Sequence, residues 1–198
     1  MNYKKVLSLV GNTKIIPESL IVLPEMFATG FSLNSCITTA DEPSRTESFL
    51  STLSKNNKSW VIGGMTKQNE LSGKTYNTAV TFNSKGEKVC EYSKIHPIPM
   101  LHEDKVHHAG KSIKSFNIES FIITPAICYD LRFADIFRSA LQYGTNLFVV
   151  LGCWPKLRIN HWVTLLQARA IENQAFMIGV NRIGKDQGLI YGGHSLII

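Results

Sequence analysis

Short hydrophobic runs bounded by glycine, proline, asparagine or serine recur along the chain and predict eight β-strands. These runs cover residues 20–23, 60–65, 78–82, 88–92, 121–127, 146–151, 176–180 and 195–198. The runs LIVLP, FIITPAIC and NLFVVL are apolar at successive positions, which is typical of strands buried on both faces. The third and fourth runs are joined by a loop that contains Gly86, and this spacing favours a β-hairpin.

Hydrophobic residues recur at helical spacing between these runs. The helical segments are the start of the chain, with Val6 and Val10, and residues 45–55, 133–143 and 159–173. Strands that alternate with helices are typical of an α/β protein whose sheets are covered by helices. No internal repeat or Pro/Gly/Ser-rich linker divides the sequence, so residues 1–198 are predicted to form a single domain.

Composition and charge argue against several classes of protein. The chain of 198 residues is 44% hydrophobic and 18% charged, as in a globular rather than a disordered protein. Its net charge of +6 comes from basic residues spread as singles and pairs, without the signature of a nucleic-acid-binding module. No apolar run approaches the roughly 20 residues that span a bilayer. The start of the chain also lacks a signal-peptide core.

Four cysteines, Cys36, Cys90, Cys128 and Cys153, lie far apart without a CxxC pair. This spacing favours free thiols over a zinc ribbon or a redox pair. Free thiols are typical of a reducing compartment. The sequence therefore predicts a cytoplasmic protein with no nucleic-acid partner and no membrane partner.

Three predicted strands are followed by a side chain that can do chemistry: Glu25, Lys94 and Cys128. Ligands collect beyond strand ends in α/β sheets, so the three side chains could converge on one site. Each residue alone also has an ordinary interpretation, as a loop acid, a surface lysine or a buried structural cysteine. Together they offer a base, a cation that can stabilise an oxyanion and a thiol nucleophile, the set needed to attack a carbonyl.

Three segments around these residues resemble signature segments of the carbon-nitrogen hydrolase (nitrilase) superfamily, in the same order: VLPEMFATGFS, EYSKIH and ICYDLRF. The similarity continues through CWPKLR, QARAIENQAF and GVNRIG, so it covers nearly the whole chain. The forms PEMF-x-TGF and WP-x-x-R are most similar to the omega-amidase branch. Members of that branch hydrolyse the terminal amide of α-keto acid monoamides such as 2-oxoglutaramate.

The resemblance implies a four-layer αββα sandwich, a homodimer, and an active site without a metal or an organic cofactor. It implies that Glu25 is the general base and that Cys128 forms a thioester. Lys94 and the backbone N–H of Tyr129 would stabilise the tetrahedral intermediate. Glu103 matches a second glutamate that helps to orient this triad.

The sequence departs from the family pattern at both ends and at some positions inside the motifs. It begins directly in the first predicted helix, whereas family members open with a central strand. It stops at residues 195–198, where relatives continue through a further strand and a C-terminal segment. We therefore expect a sandwich that lacks the first strand and the C-terminal segment, as in a fragment or a chain truncated at both ends. In addition, Cys153 stands where asparagine is expected, which alters the polarity of the substrate pocket.

Two further groups of residues are candidates for a site. The segment HEDKVHH, residues 102–108, holds three imidazoles and two carboxylates. It lacks the HExxH pattern, so we interpret it as a solvated charged loop rather than a metal site. Trp154 follows a predicted strand end and is a candidate for the substrate pocket. Arg158 could pair with a substrate carboxylate or be a surface charge at the start of a helix.

The sequence as a whole predicts a thiol-dependent amidohydrolase with a Glu-Lys-Cys triad. The predicted reaction converts 2-oxoglutaramate and water into 2-oxoglutarate and ammonia. Two alternatives stay open. The chain could be another amidase of the superfamily, acting on N-carbamoyl or aliphatic amides, or a catalytically inactive truncated homologue that acts as an interaction module.

Overall fold

Two β-sheets face each other in the computed structural model, which describes residues 2–34, 42–69, 71–186 and 188–198. The first sheet contains β1 (Leu20–Val22), β2 (Trp60–Gln68), β3 (Thr75–Phe82) and β4 (Lys88–Ser93). These strands lie side by side in chain order. The pair β1 and β2 is parallel, and the later pairs are antiparallel.

The second sheet begins with β5 (Phe116–Ile118), β6 (Phe121–Ile127), β7 (Leu147–Gly152) and β8 (Phe176–Asn181). The chain then forms a separate hairpin from β9 (Ile183–Asp186) and β10 (Leu189–Gly192). It returns to the second sheet as β11 (Leu196–Ile197), which gives the order β11-β8-β7-β6-β5. Strands β6, β7 and β8 are parallel to one another, so their carboxyl ends meet at one edge.

Helices cover the outer face of each sheet. The first sheet packs against α1 (Tyr3–Gly11) and α2 (Glu42–Asn57), and the second against α4 (Ala134–Ala140) and α5 (Ile159–Asn173). A short helix, α3 (Glu103–Val106), follows the first sheet. Among the described residues, no helix is long and apolar enough to cross a membrane.

The alternation of side chains in the first sheet explains these layers. In β2, Val61 and Met65 pack under the helices, whereas Ile62 faces the second sheet. Strand β7 has no polar face and is buried along its whole length, as its continuous apolar run predicts. The α/β sandwich with four layers is therefore confirmed. The described residues contain three strands that the sequence did not predict, β5, β9 and β10, because each has only three or four residues, too few to show the alternation of a strand.

A close approach between β2 and the chain after β1 fixes the position of Glu25. A Cβ atom added to Gly64 would lie 2.6 Å from Glu25 Cα and 2.8 Å from the backbone nitrogen of Met26. Both neighbours are backbone atoms, which cannot change rotamer to make room as a flexible side chain can. Only glycine allows β2 and this segment to lie so close together.

We expect Gly64→Ala to destabilise the protein by about 1–3 kcal/mol, because the added methyl group overpacks the backbone around Glu25. Urea denaturation of the wild type and the variant measures the change. Gly11→Ala is the matched control, since a Cβ there meets nothing within 4 Å. Equal stability of Gly64→Ala and the wild type would contradict the prediction.

Candidate active site

A buried ammonium group between two carboxylates lies at the centre of the site. Lys94 Nζ is 2.9 Å from Oε1 of Glu25, and it is 2.8 Å from Oε2 and 3.2 Å from Oε1 of Glu103. None of the three side chains is more than 1% exposed. Burial alone would lower the pKa of Lys94, but the charges of Glu25 and Glu103 raise it well above its usual value. The lysine is therefore held as a cation.

The second carboxylate of the cluster is held in its ionised form. Burial would raise the pKa of Glu103, but the Lys94 ammonium and donors that include Asn77 lower it to about 2. The backbone N–H of Ile98 also donates to Glu103 Oε2 at 2.8 Å. Glu103 lies at the start of α3, nine residues after Lys94, so the loop between them folds back on the lysine.

Glu25 is held by donors from both sheets. Its Oε1 accepts hydrogen bonds from Lys94 Nζ and, at 2.7 Å, from Asn77 Nδ2 in β3. Its Oε2 accepts one from the backbone N–H of Cys153, at 2.9 Å, just beyond β7. The Cys153 thiol is 3.2 Å from the backbone oxygen of Glu25. The carboxylate is thus fixed at the junction between the two sheets.

Cys128 occupies a strained turn at the carboxyl end of β6. Its φ is 47°, in the left-handed region, and it begins a 3-10 turn over Cys128–Arg132. Such a turn between a strand and a helix can present a nucleophile to a ligand, at a conformational cost. Asp130 holds the turn in place by accepting hydrogen bonds from the backbone N–H of Ile127, at 3.0 Å, and from that of His96, at 2.9 Å. A third comes from the Tyr92 hydroxyl at 2.7 Å.

The environment of Cys128 favours the protonated form of its thiol. Burial and the neighbouring Glu25 carboxylate raise its pKa well above the usual value, against the opposing effect of Lys94. A protonated thiol is a poor nucleophile. Chemistry at Cys128 therefore needs a base that takes its proton, and the carboxylate of Glu25 is close enough to affect its titration.

A cavity of about 290 Å³ opens onto the site and is lined by both Lys94 and Cys128. Its other charged lining residues among those that the structure describes are Arg132 and Arg158, and both are positive, as Lys94 is. The rest of the wall is largely apolar. A cavity of this kind fits a small ligand with an apolar chain and an anionic group.

The predicted pocket residues Tyr129, Trp154 and Arg158 all line this cavity. The backbone N–H of Trp154 donates to Asn181 Oδ1 at 2.7 Å, and its indole N–H donates to the backbone oxygen of Arg158 at 2.9 Å. Trp154 is buried, and Arg158 is exposed beside it. Arg132 was not predicted to line the pocket, and its guanidinium lies 4.7 Å from the centre of a Trp154 ring.

The segment at residues 102–108 differs from the predicted solvated loop. Glu103 and His107 are buried, whereas His102, Asp104 and His108 are exposed. The buried glutamate pairs with Lys94, which compensates its desolvation. In the part of the chain that the structure describes, no group of three or more His, Cys, Asp or Glu side chains could hold a metal ion.

Sequence reasoning missed two buried polar residues that organise the site, Asn77 and Asp130. Asn77 lies in β3, and its Nδ2 is within 2.8 Å of both Glu25 and Glu103. The signal available was a strongly polar amide inside the strand TYNTAVTF. Asp130 was visible only as part of the segment around Cys128. Cys90, Cys128 and Cys153 are free thiols as predicted, and Cys36 lies outside the described residues.

Comparison with known proteins gives matches over nearly the whole chain. A family model described as carbon-nitrogen hydrolase matches residues 1–198. A protein of Staphylococcus aureus named "Hydrolase in agr operon" is 36% identical over 182 residues, which cover 90% of this chain and 69% of that protein. A 2-oxoglutaramate amidase of Bacillus subtilis is 33% identical over 180 residues, with coverage of 90% and 69%.

A solved structure has the same fold as this chain. It is a CN-hydrolase superfamily protein of Xanthomonas campestris with an arsenic adduct in its active site. The TM-score is 0.90 at 27% identity, and the match covers 100% of this chain and 76% of the other.

The low pKa of Glu103 predicts how stability depends on pH. A carboxyl group with a pKa lowered on folding stabilises the protein above its unfolded pKa, and this contribution is lost as the pH falls through the folded value. We expect the free energy of unfolding to decrease as the pH is lowered from 4.5 to about 2. The fall should be smaller in Glu103→Gln.

Urea denaturation at several pH values measures these slopes. Glu119→Gln, which changes an exposed glutamate between β5 and β6, is the control and should keep the wild-type slope. If Glu103→Gln has the same slope as the wild type, the carboxylate is not stabilised by its pairing with Lys94.

Proposed function

The chain belongs to the carbon-nitrogen hydrolase family, and from that membership and the geometry of its site we propose that it is a thiol-dependent amidase of small keto acid monoamides. The predicted resemblance to the nitrilase superfamily and its omega-amidase branch is confirmed by the family match and by the 2-oxoglutaramate amidase relative. The chain is a hydrolase of carbon-nitrogen bonds. The substrate and the roles of the individual residues are our proposal.

The proposal is carried by one observation. A cysteine in a strained turn lines the same small cavity as a buried lysine, and that lysine is paired with two carboxylates. Nothing in ordinary folding needs three charged side chains to be buried beside a thiol. Acyl transfer through a thioester needs a nucleophile, a base and an oxyanion stabiliser at one point.

In the first half of the reaction, Glu25 takes the proton of the Cys128 thiol while the sulfur attacks the amide carbon. The carbonyl oxygen becomes an oxyanion, which Lys94 Nζ and the backbone N–H of Tyr129 stabilise. Nζ has three N–H groups; one serves Glu25 and one serves the carboxylate of Glu103, which leaves the third for the oxyanion. The carbon-nitrogen bond then breaks, and the proton passes from Glu25 to the departing ammonia.

In the second half, water attacks the carbon of the thioester and gives a proton to Glu25. The oxyanion forms again at the same place and is stabilised by the same donors. Its collapse breaks the carbon-sulfur bond, and Glu25 returns the proton to Cys128. The products are the free acid and the resting thiol, so the cycle needs no oxidant or reductant.

The charges of the cavity support an acidic substrate. Lys94, Arg132 and Arg158 line it, and no carboxylate in the described part of the chain does. Lys94 is engaged with the reacting carbonyl in the proposed mechanism, so the two arginines are available for a carboxylate at the other end of the substrate. The molecule 2-oxoglutaramate has a carboxylate at one end and an amide at the other, and a relative at 33% identity is named for this substrate.

The apolar walls of the cavity favour a second candidate, an aliphatic amide without a carboxylate. Ile98, Met100 and Leu189 are among the lining residues, and such side chains give no hydrogen bonds to a keto group. The two candidates share one mechanism and differ in whether the substrate carries a carboxylate that the arginines would bind.

Purified protein should release ammonia from 2-oxoglutaramate faster than from glutamine or pentanamide. Cys128→Ala should abolish this release, because no other group replaces the nucleophile. Cys90→Ala, which changes a buried cysteine in β4, should leave it unchanged and serves as the matched control. Faster turnover of pentanamide would favour the aliphatic amide. Turnover that survives in Cys128→Ala would overturn the thiol mechanism.

Arg158→Gln should raise KM for 2-oxoglutaramate by about tenfold, the lower range for a charge-assisted hydrogen bond, and leave kcat nearly unchanged. The reason is that the arginine would bind the carboxylate equally in the ground state and the transition state. Lys156→Gln removes an exposed cation two residues away that does not line the cavity. If the two variants have the same KM as the wild type, Arg158 is only a surface charge.

A further inference from the structure

One buried amide touches three of the four predicted catalytic residues. Asn77 Nδ2 is 2.7 Å from Glu25 Oε1 and 2.8 Å from Glu103 Oε1, and the backbone oxygen of Asn77 accepts the backbone N–H of Lys94 at 2.8 Å. The side chain is 1% exposed. It lies inside β3, so its position is set by the sheet rather than by a loop.

The orientation of this amide follows from its neighbours. Ionised carboxylates only accept hydrogen bonds, so the NH₂ group of Asn77 must face Glu25 and Glu103. Its Oδ1 has no hydrogen-bond partner among the described residues. A buried polar atom without a partner costs stability, so an apolar side chain here would be expected if packing were the only requirement.

The donors around Glu25 leave one oxygen with spare capacity. Oε1 accepts from both Lys94 and Asn77, whereas Oε2 accepts, among the described residues, only from the backbone N–H of Cys153. A carboxylate has about four acceptor positions, two on each oxygen. Oε1 is therefore filled, and the open position lies on Oε2.

The charges of the cluster give Asn77 a second effect. Glu25 and Glu103 carry two negative charges, and Lys94 supplies one positive charge. The NH₂ group of Asn77 lies between the two carboxylates and adds positive partial charge without titrating itself. The NH₂ group therefore lowers the repulsion between Glu25 Oε1 and Glu103 Oε1, the two oxygens to which it donates.

We propose that Asn77 is a positioning residue that fills Oε1 of Glu25, separates the two carboxylates electrostatically and so makes Oε2 the atom that takes the Cys128 proton. This rests on the proposed role of Glu25 as the base. Asn77 does not line the cavity, so it acts through Glu25 and Glu103.

Three substitutions separate this role from simple packing. Asn77→Asp keeps the shape of the side chain but replaces the donor with a third negative charge. Asn77→Ala removes the donor and the volume, and Asn77→Ser keeps a shorter donor. Thr81→Val is the matched control, because Thr81 is buried in the same strand and its hydroxyl also has no hydrogen-bond partner among the described residues.

We expect kcat for 2-oxoglutaramate to fall by roughly 10²-fold in Asn77→Ala, the lower range of what a positioned base contributes, with KM nearly unchanged. Asn77→Asp should be slower still at pH 7. It should regain activity on acidification, because its protonated carboxyl group becomes a donor again. Asn77→Ser should lie between Asn77→Ala and the wild type, and Thr81→Val should match the wild type.

The rate of Cys128 alkylation by iodoacetamide, followed by mass spectrometry, gives a readout that needs no substrate. Only the thiolate reacts, so the rate reports how readily the site takes the thiol proton. We expect the alkylation rates of the variants to follow the same order as their kcat values. If the wild type hydrolyses none of the amides but alkylation keeps this order, the proposed function fails and the positioning role stands.

A reversed ranking of Asn77→Asp and Asn77→Ala would overturn the positioning role. If packing is what matters, Asn77→Asp should be faster than Asn77→Ala in both assays at every pH, because it restores the shape. Wild-type alkylation rates in folded Asn77→Ala and Asn77→Ser would overturn it as well. These two variants decide the question even if Asn77→Asp does not fold, and thermal denaturation establishes which variants are folded.

Discussion

The pairing of Lys94 with Glu25 and Glu103 is the interaction on which the rest of the site depends. Three charged groups are removed from water here, and each would be strongly destabilising without the others. Loss of one partner of a buried ion pair typically costs about 3–5 kcal/mol, because the remaining charge stays buried and uncompensated. The segments after β1 and β4 and the short helix α3 are therefore held together by electrostatics as much as by packing. The apolar sandwich provides the burial that makes these interactions strong.

The second sheet completes the site through backbone groups. Cys153, beyond β7, donates its N–H to Glu25 across the junction of the sheets, and Cys128 lies beyond the neighbouring strand β6. The turn at Cys128 is strained, and Asp130 compensates that strain with hydrogen bonds from two backbone segments. The same burial that surrounds the ion cluster raises the pKa of the Cys128 thiol. Reactivity in the proposed mechanism thus depends on a base already aligned by other donors, rather than on a thiolate at rest.

Much of this arrangement could be predicted from the sequence, and the failures have a common cause. Continuous apolar runs predicted the buried strands, and residues at strand ends predicted where Glu25, Lys94 and Cys128 would lie. The segment at residues 102–108 was predicted to be solvated because its composition is polar, yet Glu103 and His107 are buried. Local composition does not reveal a distant partner that compensates a buried charge. Asn77 was missed for the same reason, since both of its carboxylate partners are remote in sequence.

The sequence by itself determined the α/β class, most strands and helices, and the chemical identity of a carboxylate, a cation and a thiol. These features depend on local periodicity and on residue type, which can be read directly. Only the tertiary structure decided which oxygen of Glu25 stays open, which amide separates the carboxylates and which cations line the cavity. The reason is physical: the hydrogen bond from the backbone N–H of Cys153 to Glu25 joins residues that are 128 positions apart in the sequence. Hydrogen bonds between such distant residues form only once both sheets have packed and excluded water.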